Sequence, residues 1–153
     1  MSQREKVVAV YTSQIGVREA TGKNDGVQVE TYLRYTKLGK GYAWCAAFTC
    51  WVYGQAGVMN PRSAWAPAMV PPGKVIYNLT TKKNGVPRGG DVFGIYFPKM
   101  KRVAHVGFVD QWGPKEVVTV EGNTNGAGSR EGDGVYKKKR LTRQIHSVAS
   151  YMN

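Results

Sequence analysis

Cys45 is the residue around which chemistry can be built. It follows the glycine turn Gly39-Lys40-Gly41 and opens an apolar run of Ala46, Ala47, Phe48, Trp51, Val52 and Tyr53, which reads as a buried helix stopped by Gly57. A thiol at the first turn of a helix meets unpaired backbone N–H groups and the positive end of the macrodipole. Both favour the thiolate and lower the thiol pKa below about 8.5. Most free cysteines are nevertheless small buried hydrophobes, and Cys50, mid-helix among Phe48, Trp51 and Val52, fits that description. Five residues along a helix turn the chain by about 140° and raise it by about 7.5 Å. The two thiols therefore point apart, and no disulfide is expected.

A thiol nucleophile needs a base, and the chain has only two histidines. His105 lies in Ala104-His-Val-Gly-Phe-Val-Asp110, where strand alternation sets His105, Gly107 and Val109 on one face and Val106, Phe108 and Asp110 on the other. The expectation is that the His105 face is covered by helices and that Gly107 leaves room beside the ring. A histidine on such a face is more often a satisfied core residue, unless a cysteine from the covering helix meets it. His146 stands in a segment of mixed polarity near the C-terminus and reads as an ordinary, partly exposed residue. A base in turn needs a group that fixes its tautomer. Glu121 and Asn123 are candidates, two residues apart at the end of the next strand. A strand end and a turn residue are the plainer readings of each.

The elements that must position these residues follow from periodicity and punctuation. Ser2 and Glu5 form a capping box before Val7, Val8, Tyr11 and Ile15, which gives a first helix ending at Gly16. Asp25-Gly26 opens a second helix through Val29, Tyr32 and Leu33 towards Leu38. The third runs from Cys45 to Ala56. Pro61, Pro67, Pro71 and Pro72 leave room only for short helical pieces up to Leu79. Strands are expected at Asp91–Phe97, Ala104–Asp110, Glu116–Glu121, Val135–Leu141 and Ile145–Tyr151, with a turn at Trp112-Gly113-Pro114 joining the strand of His105 to that of Glu121. Three helices followed by about five antiparallel strands make an α+β fold, helices packed on one face of a sheet.

The chain has 153 residues, 42% of them hydrophobic, which suits one domain, residues 1–153, with a core sufficient without disulfide or metal. Lys and Arg outnumber Asp and Glu by 22 to 10, a formal charge of +12 that attracts anions. Nucleic acid, an acidic membrane or a polyanionic bacterial envelope would each answer. Neither a signal peptide nor an apolar stretch long enough to span a membrane is read in the sequence. Zinc-finger spacing, helix-turn-helix signals and RNA-binding sheet signatures are absent, so the basic runs Lys82-Lys83, Lys99–Arg102 and Lys137–Arg140 read as solvated faces.

The segments Ala43-Trp44-Cys45-Ala46-Ala47-Phe48, Gly90-Asp91-Val92-Phe93, Ala104–Val109 and Val120-Glu121-Gly122-Asn123-Thr124-Asn125, in that order, resemble the CHAP family. These are cysteine, histidine-dependent amidohydrolases and peptidases with a papain-like core, related to the NlpC-type cell-wall peptidases. The resemblance runs from about Ile15 to Tyr136. It implies a peptidoglycan hydrolase, an amidase or an endopeptidase acting through a thioester, with Cys45 as nucleophile, His105 as general base, and Glu121 with Asn123 orienting the imidazole. Trp44, Tyr42, Trp65 and Tyr96 are expected to line the substrate cleft. The Gln that papain-like enzymes commonly place before the nucleophile is missing from Tyr35–Tyr42, so the Cys45 N–H with Tyr35 or Tyr42 is the expected oxyanion site. No cofactor is expected. No metal is expected either, because the stretch before Cys45 carries only Glu19, Asn24-Asp25 and Glu30, and the Asn123–Gly134 loop lacks calcium-loop spacing.

A monomer acting on the anionic wall is expected, reached as a phage lysin, as a secreted effector with delivery machinery and an immunity protein, or as a domain of a longer chain. Two alternatives stand beside it. One is a polyanion or nucleic-acid binding module; the other is a transpeptidase or protein-cleaving cysteine peptidase with the same residues.

Overall fold

A computed structural model of the chain describes residues 1–125 and 132–152. The glycine-rich turn after Asn125 lies partly outside these residues. Helix α1 (Gln3–Gln14) begins where the sequence places its cap, with Ser2 Oγ accepting the Glu5 N–H at 3.1 Å. It buries only Val7 and Tyr11. Helix α2 (Val27–Tyr35) starts at Gly26, whose φ of 110° suits glycine, and Glu30 folds back to accept the Gly26 N–H at 2.9 Å. Helix α3 (Cys45–Gln55) is buried nearly all round, as its apolar sequence requires.

The strands are β1 (Val75–Asn78), β2 (Lys83–Asn84), β3 (Val92–Phe97), β4 (Arg102–Gln111), β5 (Glu116–Thr124), β6 (Gly134–Leu141) and β7 (Ser147–Ala149). They form one sheet in the order β2-β1-β7-β3-β4-β5-β6, every neighbouring pair antiparallel. The fold is α+β, with seven strands instead of about five. The two added strands, β1 and β2, fall in or just after the proline-punctuated stretch. They exist because β1 pairs with β7 near the chain's far end, a non-local partner that no local pattern reveals.

The helices do not cover the face expected of them. Val92, Val106, Phe108 and Val120 join the core shared with α1, α2 and α3, where Tyr11, Phe48 and Tyr53 ring Phe108 at centroid distances of 4.9, 5.9 and 5.5 Å. Val109, with Phe93, Val117, Ile145 and Val148, forms a second cluster. His105 stays on the side of this second cluster, its ring 6.4 Å from that of Phe93, and two irregularities flank it. The β3–β4 register passes from Ile95↔His105 to Tyr96↔Val103, leaving Ala104 as an extra residue, and such a bulge re-aims neighbouring side chains. The described β4–β5 pairs run from Gln111↔Val118 to Phe108↔Val120 and do not continue towards His105 and Asn123.

Candidate active site

Cys45 opens α3 beside the end of the β4–β5 pairing. Its burial would raise the thiol pKa, but the His105 ring, with the backbone N–H groups of Val106 and Ala46, pulls it below the ordinary value. Cys45 retains 6% of its surface, a narrow access to solvent. Cys50 shows the contrast: burial pushes its thiol up to about 11, and its Sγ is directed to the Ser63 carbonyl at 3.5 Å and Met69 Sδ at 3.3 Å. One cysteine is placed to ionise and the other to pack.

His105 is fully buried, and its two nitrogens have different surroundings. Nε2 lies 2.8 Å from Glu121 Oε1. An ionised carboxylate only accepts, so Nε2 carries the hydrogen, and the Nδ1 lone pair is left to take a proton from the thiol. Among the described residues Nδ1 has no hydrogen-bond partner, and the Cys45 thiol is a group that interacts with the ring. Contacts of this kind are commonly loose before substrate binds. Burial disfavours the imidazolium, yet Cys45 and Glu121 outweigh it and raise the ring pKa to about 9. The two shifts describe a thiolate–imidazolium pair.

Glu121 is the most constrained group of the site. Oε1 accepts from His105 Nε2 and from Arg140 Nη2 at 2.6 Å, while Oε2 accepts from Arg140 Nε and from Thr119 Oγ1, each at 2.6 Å. Burial alone would raise its pKa. Arg140 first and His105 second bring it down to about 2. Gly107 provides the space for this arrangement, since a Cβ there would stand 2.8 Å from both Glu121 Cγ and the Phe93 ring.

Asn123 takes a part other than the expected one. Its partners are not the imidazole: Oδ1 accepts the Trp44 N–H at 2.7 Å, and Nδ2 donates to the Gly132 carbonyl at 2.9 Å and to Asn24 Oδ1 at 3.4 Å. It adopts φ +59°, which asparagine tolerates better than most residues. Asn123 thus ties the end of β5 to the backbone immediately before Cys45.

The aromatic candidates divide. Trp44 is completely buried, donates its indole N–H to Glu19 Oε2 at 2.8 Å and packs 5.7 Å from Tyr32, so it is a core residue and cannot line a cleft. Tyr42, Trp65 and Tyr96 are exposed, and Tyr96 stacks on His146 with centroids 5.4 Å apart. Tyr35 is withdrawn as an oxyanion donor. Its hydroxyl lies against Gly54 and accepts from Asn60, about 13 Å along α3 from Cys45 at 1.5 Å per residue.

Arg140 and Thr119 escaped the sequence reading. Thr119 shares a strand face with Glu121, a signal that was present. Arg140 belongs to the run Lys137–Arg140, whose alternation leaves Lys137 and Lys139 exposed and Lys138 and Arg140 half-buried. Among the described residues, no cluster of three or more His, Cys, Asp or Glu side chains is placed to hold a metal ion. Among the same residues, no helix is long and apolar enough to cross a membrane.

Comparison with known proteins gives one family match: the model of the CHAP domain matches residues 37–123. No curated protein matches the chain. Among solved structures, the crystal structure of Ly7917 is similar, with 14% identity and a TM-score of 0.48 over 97% of this chain and 62% of that one. The crystal structure of Ly7917 with the hydrolyzing product of MDP is similar at 13% identity and a TM-score of 0.47, over 97% of this chain and 63% of that one. The chain thus spans less than two thirds of the length of these structures.

Proposed function

Because the chain belongs to the CHAP domain family, we propose that it hydrolyses an amide bond of bacterial peptidoglycan, in the stem peptide, in a cross-bridge or between muramic acid and L-Ala. The observation that carries the reading is the placement of His105, bracketed by an ionisable thiol on one side and an ionised carboxylate on the other.

The Cys45 thiolate attacks the carbonyl carbon, and the carbonyl electron pair moves to oxygen. The developing oxyanion is met by the Cys45 main-chain N–H at the helix start and by the Tyr42 hydroxyl as side-chain donor. Collapse of this intermediate expels the amine, which leaves with the proton held on His105 Nδ1, and a thioester joins the acyl group to Cys45. Neutral His105 then takes a proton from water. The hydroxide attacks the thioester, and the second collapse releases the carboxylic acid and restores the thiolate beside the imidazolium. Glu121 accepts the Nε2 hydrogen throughout and stays ionised. Trp65, Tyr96 and Tyr42, being exposed, are the aromatic surfaces offered to substrate.

The charge of +12 serves adsorption to an anionic wall. Lys137 and Lys139 project from β6 as part of that surface. Salt should weaken the attraction, since exposed charges are screened beyond about 8 to 10 Å at physiological ionic strength.

The test is digestion of purified peptidoglycan by wild type and by Cys45→Ala, with mass spectrometry of the released fragments. Wild type is expected to release fragments with new amine and carboxyl ends that identify the bond, and the variant none. Equal release by both proteins, or none by wild type from walls of several chemotypes, would refute the proposal.

A further inference from the structure

We propose that Arg140 is a positioning residue for this site: by gripping both oxygens of Glu121 it fixes the carboxylate that holds His105 and keeps it an anion. The inference rests on the reading of Cys45 and His105 as nucleophile and base. Nothing in that reading requires an arginine, and the mechanism assigns it no step.

The geometry is a two-point clamp. Arg140 Nε donates to Oε2 and Nη2 to Oε1, both at 2.6 Å, in the parallel arrangement that suits a guanidinium and a carboxylate. Its side chain is only 10% exposed and that of Glu121 not at all, so water competes weakly. A carboxyl group buried without a counter-ion would favour its protonated form. A protonated Glu121 would no longer be a pure acceptor, and its grip on the Nε2 hydrogen would weaken. The clamp also leaves the carboxylate no freedom to rotate away from the ring.

Among the described residues, the charged groups that face Glu121 come from two elements: β4 brings His105, and β6 brings Arg140 together with Lys138, whose Nζ donates to the Asn125 carbonyl at 3.0 Å. α3 brings Cys45 to the His105 ring. Removing Arg140 takes from the buried Glu121 the guanidinium that does most to keep it ionised. Where Glu121 then takes up a proton, the imidazolium loses its anchor, and Cys45, whose thiolate is held by that ring, ionises at higher pH. Lysine would keep the charge and lose the fork, so it restores part of the effect.

The test uses no wall substrate, so it stands apart from the fate of the proposed function. The rate of Cys45 alkylation by iodoacetamide is followed against pH in wild type, Arg140→Gln and Arg140→Lys, with peptide mass spectrometry separating Cys45 from Cys50 and near-ultraviolet circular dichroism checking the fold. In Arg140→Gln the acid limb is expected to move up by about one pH unit or more, roughly a tenfold loss of rate on the acid side. Arg140→Lys is expected to fall between the two. If Arg140→Gln does not fold, Arg140→Lys decides alone. A folded variant whose profile superimposes on wild type would overturn the inference. A wild-type Cys45 that titrates like an ordinary thiol would instead overturn the nucleophile reading on which it rests.

Discussion

Replacing Glu121 by Gln exchanges one carboxylate oxygen for an NH2 group and sets it against two of the four hydrogen bonds that the carboxylate accepts. Arg140 donates to both carboxylate oxygens, so whichever of them becomes the amide nitrogen sets a donor against a donor. The same Oε1 also faces His105 and the same Oε2 also faces Thr119. The nearly buried Arg140 loses this carboxylate, and removing one partner of a buried pair costs about 3 to 5 kcal/mol. The depression of the Glu121 pKa from 4.5 to about 2 corresponds independently to about 3 kcal/mol at neutral pH. For a chain of this size 1 kcal/mol moves Tm by about 2 to 4 °C, so Glu121→Gln should melt roughly 6 to 20 °C lower.

The pH dependence supplies the sharper check. A group whose folded pKa is depressed stabilises the fold above its unfolded value, and that stability is lost as pH falls through the folded value. The gap between wild type and variant in differential scanning calorimetry should therefore be full above about pH 4.5 and close towards pH 2. A gap of less than about 2 °C at neutral pH, or one that does not change on acidification, would refute the reasoning.

Three further outcomes are expected. His105 is held protonated up to about 9, so its stabilising contribution is present below 6.5 and lost as pH rises through about 9; the alkaline limb of wall hydrolysis should lie near 9, and a limb near 6.5 would contradict this. Gly107→Ala drives a methyl group into Glu121 Cγ and Phe93, so it should lower stability by about 1 to 3 kcal/mol in urea titration and reduce kcat with little change in KM. Asn123→Ala leaves the Trp44 N–H without its acceptor and puts alanine at φ +59°, which together should cost about 2 to 5 kcal/mol by the same titration, whereas Asn123→Asp retains the acceptor and should lose less.

The helices and the four longest strands are legible because their signals are local: Ser2 and Glu5 at a cap, Gly26 at a helix start, alternation around Phe108. Cys45 and His105 stand out by scarcity and by position. Glu121 follows from sharing a strand end beside the strand of His105. What local pattern cannot supply is reach and irregularity. Arg140 sits at a register position opposite Val117, and only its long side chain brings it to Glu121. A run of four basic residues looks like a solvated face until alternation divides it. His105 keeps the two-residue period and lies on the Phe93 side of the sheet, and its meeting with Cys45 depends on where α3 begins, which no local pattern gives. Trp44 looks like a cleft aromatic because it adjoins Cys45, yet its indole turns inward to Glu19. Asn123 carries the turn signal of its residue type, and its positive φ is what aims Oδ1 at the Trp44 N–H instead of the imidazole.

The claim that matters most is that Cys45 is a thiolate stabilised by His105, and the absorbance of the thiolate reports it directly. The ultraviolet difference spectrum between wild type and Cys45→Ala is followed from about pH 3 to 10, across the ordinary thiol value of about 8.5, and repeated for His105→Ala against its own Cys45→Ala double variant. The expected result is a thiolate step well below the ordinary value in wild type and its displacement upward without His105. A wild-type step at or above the ordinary value, as burial alone would produce, would contradict it.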